Sequence, residues 1–182
     1  AAGNGGLMRV APVGLRFVHD RDRLMQAVAD TSAVTHYDPR CRASCVVLCL
    51  ALQALLRSET PDALCLMDLA DAVRALSPQT ADAVLGVFDL DAGDVPSSGY
   101  TLDTLQAALW PVERGLPLEE GIVSIVNLGY DADTCGAVAG ALLGARDGEE
   151  AIPGRWLVQL QDCDRIRTTA DRLYAVADGA AG

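Results

Sequence analysis

Aromatic residues are scarce. Phe, Trp and Tyr together make up 4% of the 182 residues. A core must therefore be built from Ala, Leu and Val, a mixture that favours closely packed helices over a β-sandwich. Positive charge is also in short supply: 14 Arg and Lys stand against 25 Asp and Glu, a net charge of −11. Such a surface lacks the cationic stripe that tracks a phosphate backbone, and anionic membranes attract it little, so neither nucleic acid nor membrane is expected as a partner. No apolar run reaches the roughly 18 residues of a membrane span. The longest, Cys41 to Leu56, is broken by Arg42, Ser44 and Gln53. The opening "AAGNGGLMRV" lacks the basic-then-apolar order of a secretory signal. Six cysteines occur without a CxxC pair. Free thiols in that number suggest a reducing compartment, so the expected location is cytoplasmic.

What is present is helical. Leu24, Met25, Val28 and Ala29 form one face of a helix over Asp22 to Val34. Asp38-Pro39 reads as an N-cap followed by a first-turn proline, opening a helix to about Arg57 that is apolar almost all round and so belongs in the core. Thr60-Pro61 and Ser77-Pro78 repeat that start. Thr101 to Trp110 is expected to be a helix ended by Pro111, and Pro117 with Glu119 and Glu120 begins another. The β-branched run Ile122 to Val126 makes this the assignment most open to a strand. Asp133 to Ala145, Pro153 to Gln161 and Cys163 to Val176 complete the pattern. With no long linker, repeat or low-complexity block, residues 1–182 read as one all-α domain of about eight or nine helices.

Cys41, Cys45 and Cys49 lie on one helical stripe. Three thiols at this spacing suit a soft metal, but a structural zinc site needs its full ligand set, so packing on a core face is the expected role.

The segment "GYDADTCGAVAGALLGAR" is harder to explain by packing. Asp131, Asp133 and Thr134 gather hard oxygen donors before an almost wholly small and apolar helix. Alternate residues of a turn can aim carboxylates at one point, and Mg²⁺ or Mn²⁺ prefers such donors. N-capping explains one of the three residues, not all of them. Gly136, Gly140 and Gly144, four apart, each cost ~1 kcal/mol against alanine, which predicts a second helix packed backbone-to-backbone against them.

"VNLGYDADTCGAVAGALLGAR" followed by "IPGRWLVQL" resembles the C-terminal signature of the ADP-ribosylglycohydrolases. "GNGGLMRVAPVGL", "THYDP" and "GYTLDTLQAALW" are similar to further segments of that family, in the same order. The resemblance implies a compact all-helical fold and a binuclear Mg²⁺ centre (or Mn²⁺). It also implies hydrolysis of the glycosidic bond at C1″ of ADP-ribose, carried by a modified protein side chain or a small molecule. Carried over, Asp131, Asp133 and Thr134 fall on metal ligands, with Asp133 bridging. Asn4, Gly5 and Gly6 fall on the loop along the diphosphate and adjoining ribose, His36 on a ligand-facing histidine, and Gly99 and Tyr100 on the segment with an aromatic beside the nucleoside.

Two departures stand out. Tyr130 occupies a position where the family commonly has glycine. The family's N-terminal portion, with its Thr-Asp-Asp ligand run and the carboxylates proposed as acid and base, has no counterpart in residues 1–182. No catalytic acid or base is therefore assigned. Expected partners are ADP-ribose or an ADP-ribosylated protein, and the chain's own N-terminal segment as a separate polypeptide. An apolar patch near Ala1 to Val13 is expected where that segment would pack. The alternatives are a catalytically incomplete or degenerate relative that binds ADP-ribose or metal, and a purely structural one. The intact charged triplet argues against the last.

Overall fold

A computed structural model describes residues 2–57 and 65–179. Among them run ten α-helices: α1 (Ala11–Arg16), α2 (Arg21–Ala33), α3 (Pro39–Arg57), α4 (Leu66–Arg74), α5 (Pro78–Gly86), α6 (Thr101–Glu113), α7 (Leu118–Val126), α8 (Ala132–Asp147), α9 (Gly154–Gln159) and α10 (Cys163–Asp178). The only extended pairing among the described residues is an isolated bridge between Gly3 and Tyr100. The all-α expectation holds. The expected start at Thr60-Pro61 lies outside the described residues.

The caps read from the sequence operate as expected. The Asp38 carboxylate accepts the Arg40 backbone N–H at 2.9 Å ahead of α3, and the Ser77 hydroxyl accepts that of Thr80 at 3.2 Å ahead of α5. Helix α3 is the centre of the core. Thirteen of its 19 residues are buried, and it packs on α1, α2, α4, α6 and α8. By length and composition α3 could cross a membrane, but 72% of its apolar stretch is buried within the fold, as a core helix requires. Fully buried leucines such as Leu48, Leu50, Leu105 and Leu142 each contribute about 2 kcal/mol of transfer free energy.

The cysteine stripe is packed into the core. Cys41, Cys45 and Cys49 are buried on α3, with the Cys41 thiol donating to the Gly3 carbonyl at 3.3 Å and that of Cys49 to the Val10 carbonyl at 3.8 Å. Burial pushes the Cys45 thiol up to about 11 and that of Cys49 up as well.

Two expectations need correction and a third is narrowed. Helix α6 does not stop at Pro111 but runs through it to Glu113. Pro111 lies in the last turn, where it removes a single helical hydrogen bond, and the turn still closes through Arg114 N–H to Trp110 O at 2.9 Å. A mid-helix proline costs ~3 kcal/mol; a buried site near the helix end, in contact range of Gly121, lessens and offsets that cost. The glycine ladder of α8 is only partly used. A Cβ on Gly136 would meet Val126 Cγ2 at 2.8 Å and one on Gly140 would meet Ile122 Cδ1 at 3.5 Å, but nothing approaches Gly144. Side chains of α7, not a second backbone, fill these hollows, which is why Ile122–Val126 is helical: its β-branched face seats on α8. Lastly, the apolar surface expected near Ala1 to Val13 lies toward the end of that stretch. Ala2, Leu7 and Val10 are buried, and Met8 is an exposed large hydrophobic there. Pro12 lines an apolar cavity of about 770 Å³ between α1 and α10, together with Leu15, Leu56, Ile166 and Leu173 among others.

Candidate functional site

The turn from α7 into α8 is built on two successive left-handed residues, Gly129 at φ 78° and Tyr130 at φ 53°. Ser97 holds it by donating its hydroxyl to the Gly129 carbonyl at 2.8 Å. Glycine adopts such a φ freely. A tyrosine does so at a cost of roughly 1–2 kcal/mol. The Tyr130 side chain is 94% exposed.

Asp131 follows at the N-cap position of α8. Its side chain caps no α8 amide. Instead its Oδ2 accepts from Asn4 Nδ2 at 2.5 Å. The same Asn4 amide group donates to Thr104 Oγ1 at 2.8 Å, so Asn4 ties the glycine-rich loop to both α6 and α8. Asp133 is exposed and Thr134 is buried. The Asp133 carboxylate receives no hydrogen bond from the described residues, so it is free to take a ligand.

Residues 2–4 are held against Gly99 and Tyr100 around the isolated Gly3–Tyr100 bridge, and the chain turns over residues 4–6. Asn4 N–H donates to the Gly99 carbonyl and Thr101 N–H to the Ala2 carbonyl, each at 3.0 Å. Gly99 approaches Asp131 so closely that a Cβ there would lie 3.9 Å from Asp131 Oδ2. On the other side the loop meets His36: a Cβ on Gly5 would lie 2.8 Å from His36 Cε1 and 2.9 Å from Nε2, and one on Gly6 would lie 2.9 Å from Ser32 Oγ. Glycine is needed at both places because the side chains of α2 and the following turn press on the backbone. The Gly5 and Gly6 N–H groups make no backbone hydrogen bond within the described residues. Gly5 is half-buried and Gly6 buried, and unpaired loop N–H groups of this kind are donors suited to phosphate oxygens.

Tyr100 stands at the far end of this edge. Arg40 Nη1 donates to its hydroxyl at 3.2 Å, and the guanidinium lies 5.7 Å from the ring centroid. Arg40 is fixed in turn by Asp38, with contacts of 2.9 and 2.7 Å to the two carboxylate oxygens. Those hydrogen bonds hold the Asp38 carboxyl down at about 2.

The fold thus brings Asn4, Gly5, Gly6, His36, Gly99, Tyr100 and Asp131 into one assembly, with Asp133 and Thr134 on the adjoining first turn of α8. Five further residues belong to it: Thr104, Ser97, Arg40, Thr35 and Arg9. Thr104 and Thr35 lie inside the quoted motifs, but only packing shows what their hydroxyls touch. For a divalent cation, the donor chemistry of Asp131, Asp133 and Thr134 is suitable: two carboxylates and a hydroxyl are hard ligands, and Mg²⁺ keeps several waters beside one or two carboxylates. Among the described residues no cluster of three His, Cys, Asp or Glu side chains is present. These donors therefore fit part of a metal shell and are too few for two complete ones.

Known proteins resemble the chain over nearly all of its residues. The ADP-ribosylglycohydrolase family model matches residues 1–181. The ADP-ribosylarginine hydrolase Tri1 of Serratia proteamaculans is 32% identical over 97% of this chain and 47% of its own length. The ADP-ribosyl-[dinitrogen reductase] glycohydrolase of Rhodospirillum rubrum is 32% identical over 97% of this chain and 57% of its own. A solved structure described as an ADP-ribosylglycohydrolase-related protein complex superposes with a TM-score of 0.85 at 39% identity, covering 97% of this chain and 61% of that one. The chain spans about half the length of the relatives it matches. With motifs, fold and a family model over residues 1–181 in agreement, the chain belongs to the ADP-ribosylglycohydrolase family.

Proposed function

We propose that this chain binds the ADP-ribosyl group and hydrolyses its C1″ glycosidic bond, releasing ADP-ribose from a modified side chain such as arginine. The observation that carries this reading is the Asn4–Asp131 hydrogen bond. It joins a loop of free backbone donors, suited to a diphosphate, to a pair of carboxylates, suited to the ribose end.

Each part has a role set by its chemistry. The N–H groups of Gly5 and Gly6 hold phosphate oxygens, which lets a chain of net charge −11 bind an anionic nucleotide locally. Tyr100, braced by Arg40, offers a ring face beside the nucleoside. Asp131, Asp133 and Thr134 would hold a divalent cation, Mg²⁺ or Mn²⁺, both of which take all-oxygen donors. When bound, the cation supplies Lewis-acid polarisation and orients the ribose hydroxyls. The carboxylates of Asp131 and Asp133 also favour the positive charge that develops on the ribose as the bond to C1″ breaks. Relatives that act on ADP-ribosylarginine and on ADP-ribosylated dinitrogen reductase make a protein-linked ADP-ribose the substrate class.

A second reading is carried by the metal donors. Because they are too few for two complete shells, the chain alone binds ADP-ribose without turning over substrate, and activity requires further ligands from another polypeptide. Titration calorimetry with ADP-ribose, with and without Mg²⁺, and release of ADP-ribose from a modified arginine peptide separate the two. Binding with release supports hydrolysis by this chain. Binding without release supports the second reading. Absence of binding removes both.

A further inference from the structure

Arg9, Thr35 and His36 form a chain of polar contacts with one free end. Arg9 Nη2 donates to Thr35 Oγ1 at 2.5 Å, while Arg9 Nε donates to the Gly5 carbonyl at 3.0 Å. Thr35 Oγ1 in turn lies 2.8 Å from His36 Nδ1. The other ring nitrogen, Nε2, lies against the bare α-carbons of Gly5 and Gly3, where added Cβ atoms would lie 2.9 and 3.7 Å away.

The donors and acceptors can be counted. Arginine has no acceptor, so Thr35 Oγ1 must accept from Arg9. The single hydroxyl hydrogen of Thr35 is then free to donate. A hydroxyl already bonded to a guanidinium is polarised into a stronger donor and a weaker acceptor. It therefore donates to His36 Nδ1 in preference to accepting from it. A neutral imidazole that accepts at Nδ1 carries its proton on Nε2, on the edge of the ring that faces the glycine loop.

We infer that Arg9 and Thr35 are positioning residues that fix His36 as its Nε2–H tautomer, so that the ring presents a neutral hydrogen-bond donor to the ligand held on the Asn4–Gly6 loop. The link from this tautomer to ligand binding rests on the reading of the loop given under Proposed function. The link from Arg9 and Thr35 to the tautomer does not. Arg9 joins the two in space, since one guanidinium grips the loop at Gly5 and the histidine through Thr35.

The test is ¹⁵N NMR of the histidine ring nitrogens in mildly alkaline buffer, with His36 assigned against a His19→Gln variant, since the chain has two histidines. The wild type should show His36 protonated at Nε2 and unprotonated at Nδ1. Thr35→Ser should preserve that pattern. Thr35→Val and Arg9→Met should shift the ring to a mixture of tautomers, with the fold retained by circular dichroism because Thr35 and Arg9 are exposed. ADP-ribose affinity should fall about fivefold in Thr35→Val and recover in Thr35→Ser. A wild-type ring protonated at Nδ1, or a tautomer unmoved by Thr35→Val, overturns the relay. A tautomer that shifts while ADP-ribose affinity stays constant overturns its role in binding. If the wild type binds no ADP-ribose at all, the functional reading fails while the tautomer measurement still decides the relay.

Discussion

Asn4 and Asp131 stand 127 residues apart in the chain and are joined by a hydrogen bond of 2.5 Å. Asn4 is 8% exposed, and its two amide hydrogens are both spent, one on Asp131 and one on Thr104. Asp131→Ala therefore does more than remove a carboxylate. It leaves a buried N–H without an acceptor, at a cost of about 1–3 kcal/mol. Asp131→Asn, which can turn its carbonyl oxygen to Asn4, should lose most Mg²⁺-dependent ADP-ribose binding while keeping near-native stability. Urea unfolding and calorimetry on the two variants read the two effects separately; equal stability losses would contradict this division.

Gly5 is pressed by the His36 ring. In Gly5→Ala the new methyl would lie 2.8 Å from Cε1, so the imidazole must turn away from the loop. Overpacking of this kind costs roughly 1–3 kcal/mol. The backbone of Gly5 is not in the left-handed region, so the loss comes from the ring and not from strain in the chain. Thermal unfolding should show the destabilisation, and ADP-ribose affinity should fall by about tenfold as the His36 edge is displaced. A double variant, Gly5→Ala with His36→Ala, should recover stability but not affinity.

Tyr130 reverses the usual cost of glycine. Its left-handed backbone costs roughly 1–2 kcal/mol, whereas a glycine there loses about 0.5–1 kcal/mol through the greater freedom of the unfolded chain. The first effect is larger, and the exposed side chain has little packing to lose. Tyr130→Gly should therefore be neutral to slightly stabilising, by about 0.5 kcal/mol, where most glycine substitutions destabilise. A clear loss of stability in urea unfolding would show that the ring is held by contacts that outweigh the strain.

Asp38 gives the protein an acid-sensitive contact. Hydrogen bonds from Arg40 hold its carboxyl at about 2, below the ordinary 3.8. A lowered folded-state value means that folding favours the ionised form. The stabilisation is present above about pH 4 and is lost as pH falls toward 2. The difference in melting temperature between wild type and Asp38→Asn should be constant near neutrality and shrink across that acid window. A difference that stayed flat down to pH 2 would show that the ion pair contributes nothing to stability, as exposed pairs often do.

The proline-and-cap starts at Asp38-Pro39 and Ser77-Pro78 were legible in the sequence, because a cap depends on residues two or three positions away. The all-round apolar character of α3 marked it as the core helix for a similarly simple reason: no face of it could be left in water. The aspartate pair at the start of α8 was also legible, since the oxygen donors are near neighbours in the chain, and motif order tied them to a family.

Other features were decided only by tertiary packing. Helix α6 passes Pro111 because contacts with α7 outweigh a local propensity that no neighbouring residue could cancel. The α8 glycines meet α7 side chains at Gly136 and Gly140 and nothing at Gly144, a distinction set by where the helices cross. The Asn4–Asp131 bond, the grip of Arg9 on Gly5 and Thr35, and the bracing of Tyr100 by Arg40 join residues from distant parts of the sequence. Local sequence set where most of the helices begin and which donors the chain carries. Which donor faces which acceptor was decided by the packing of α2, α3, α6 and α8 around the glycine loop, because a hydrogen bond forms only when its partners come within about 3 Å, and no local pattern encodes that distance.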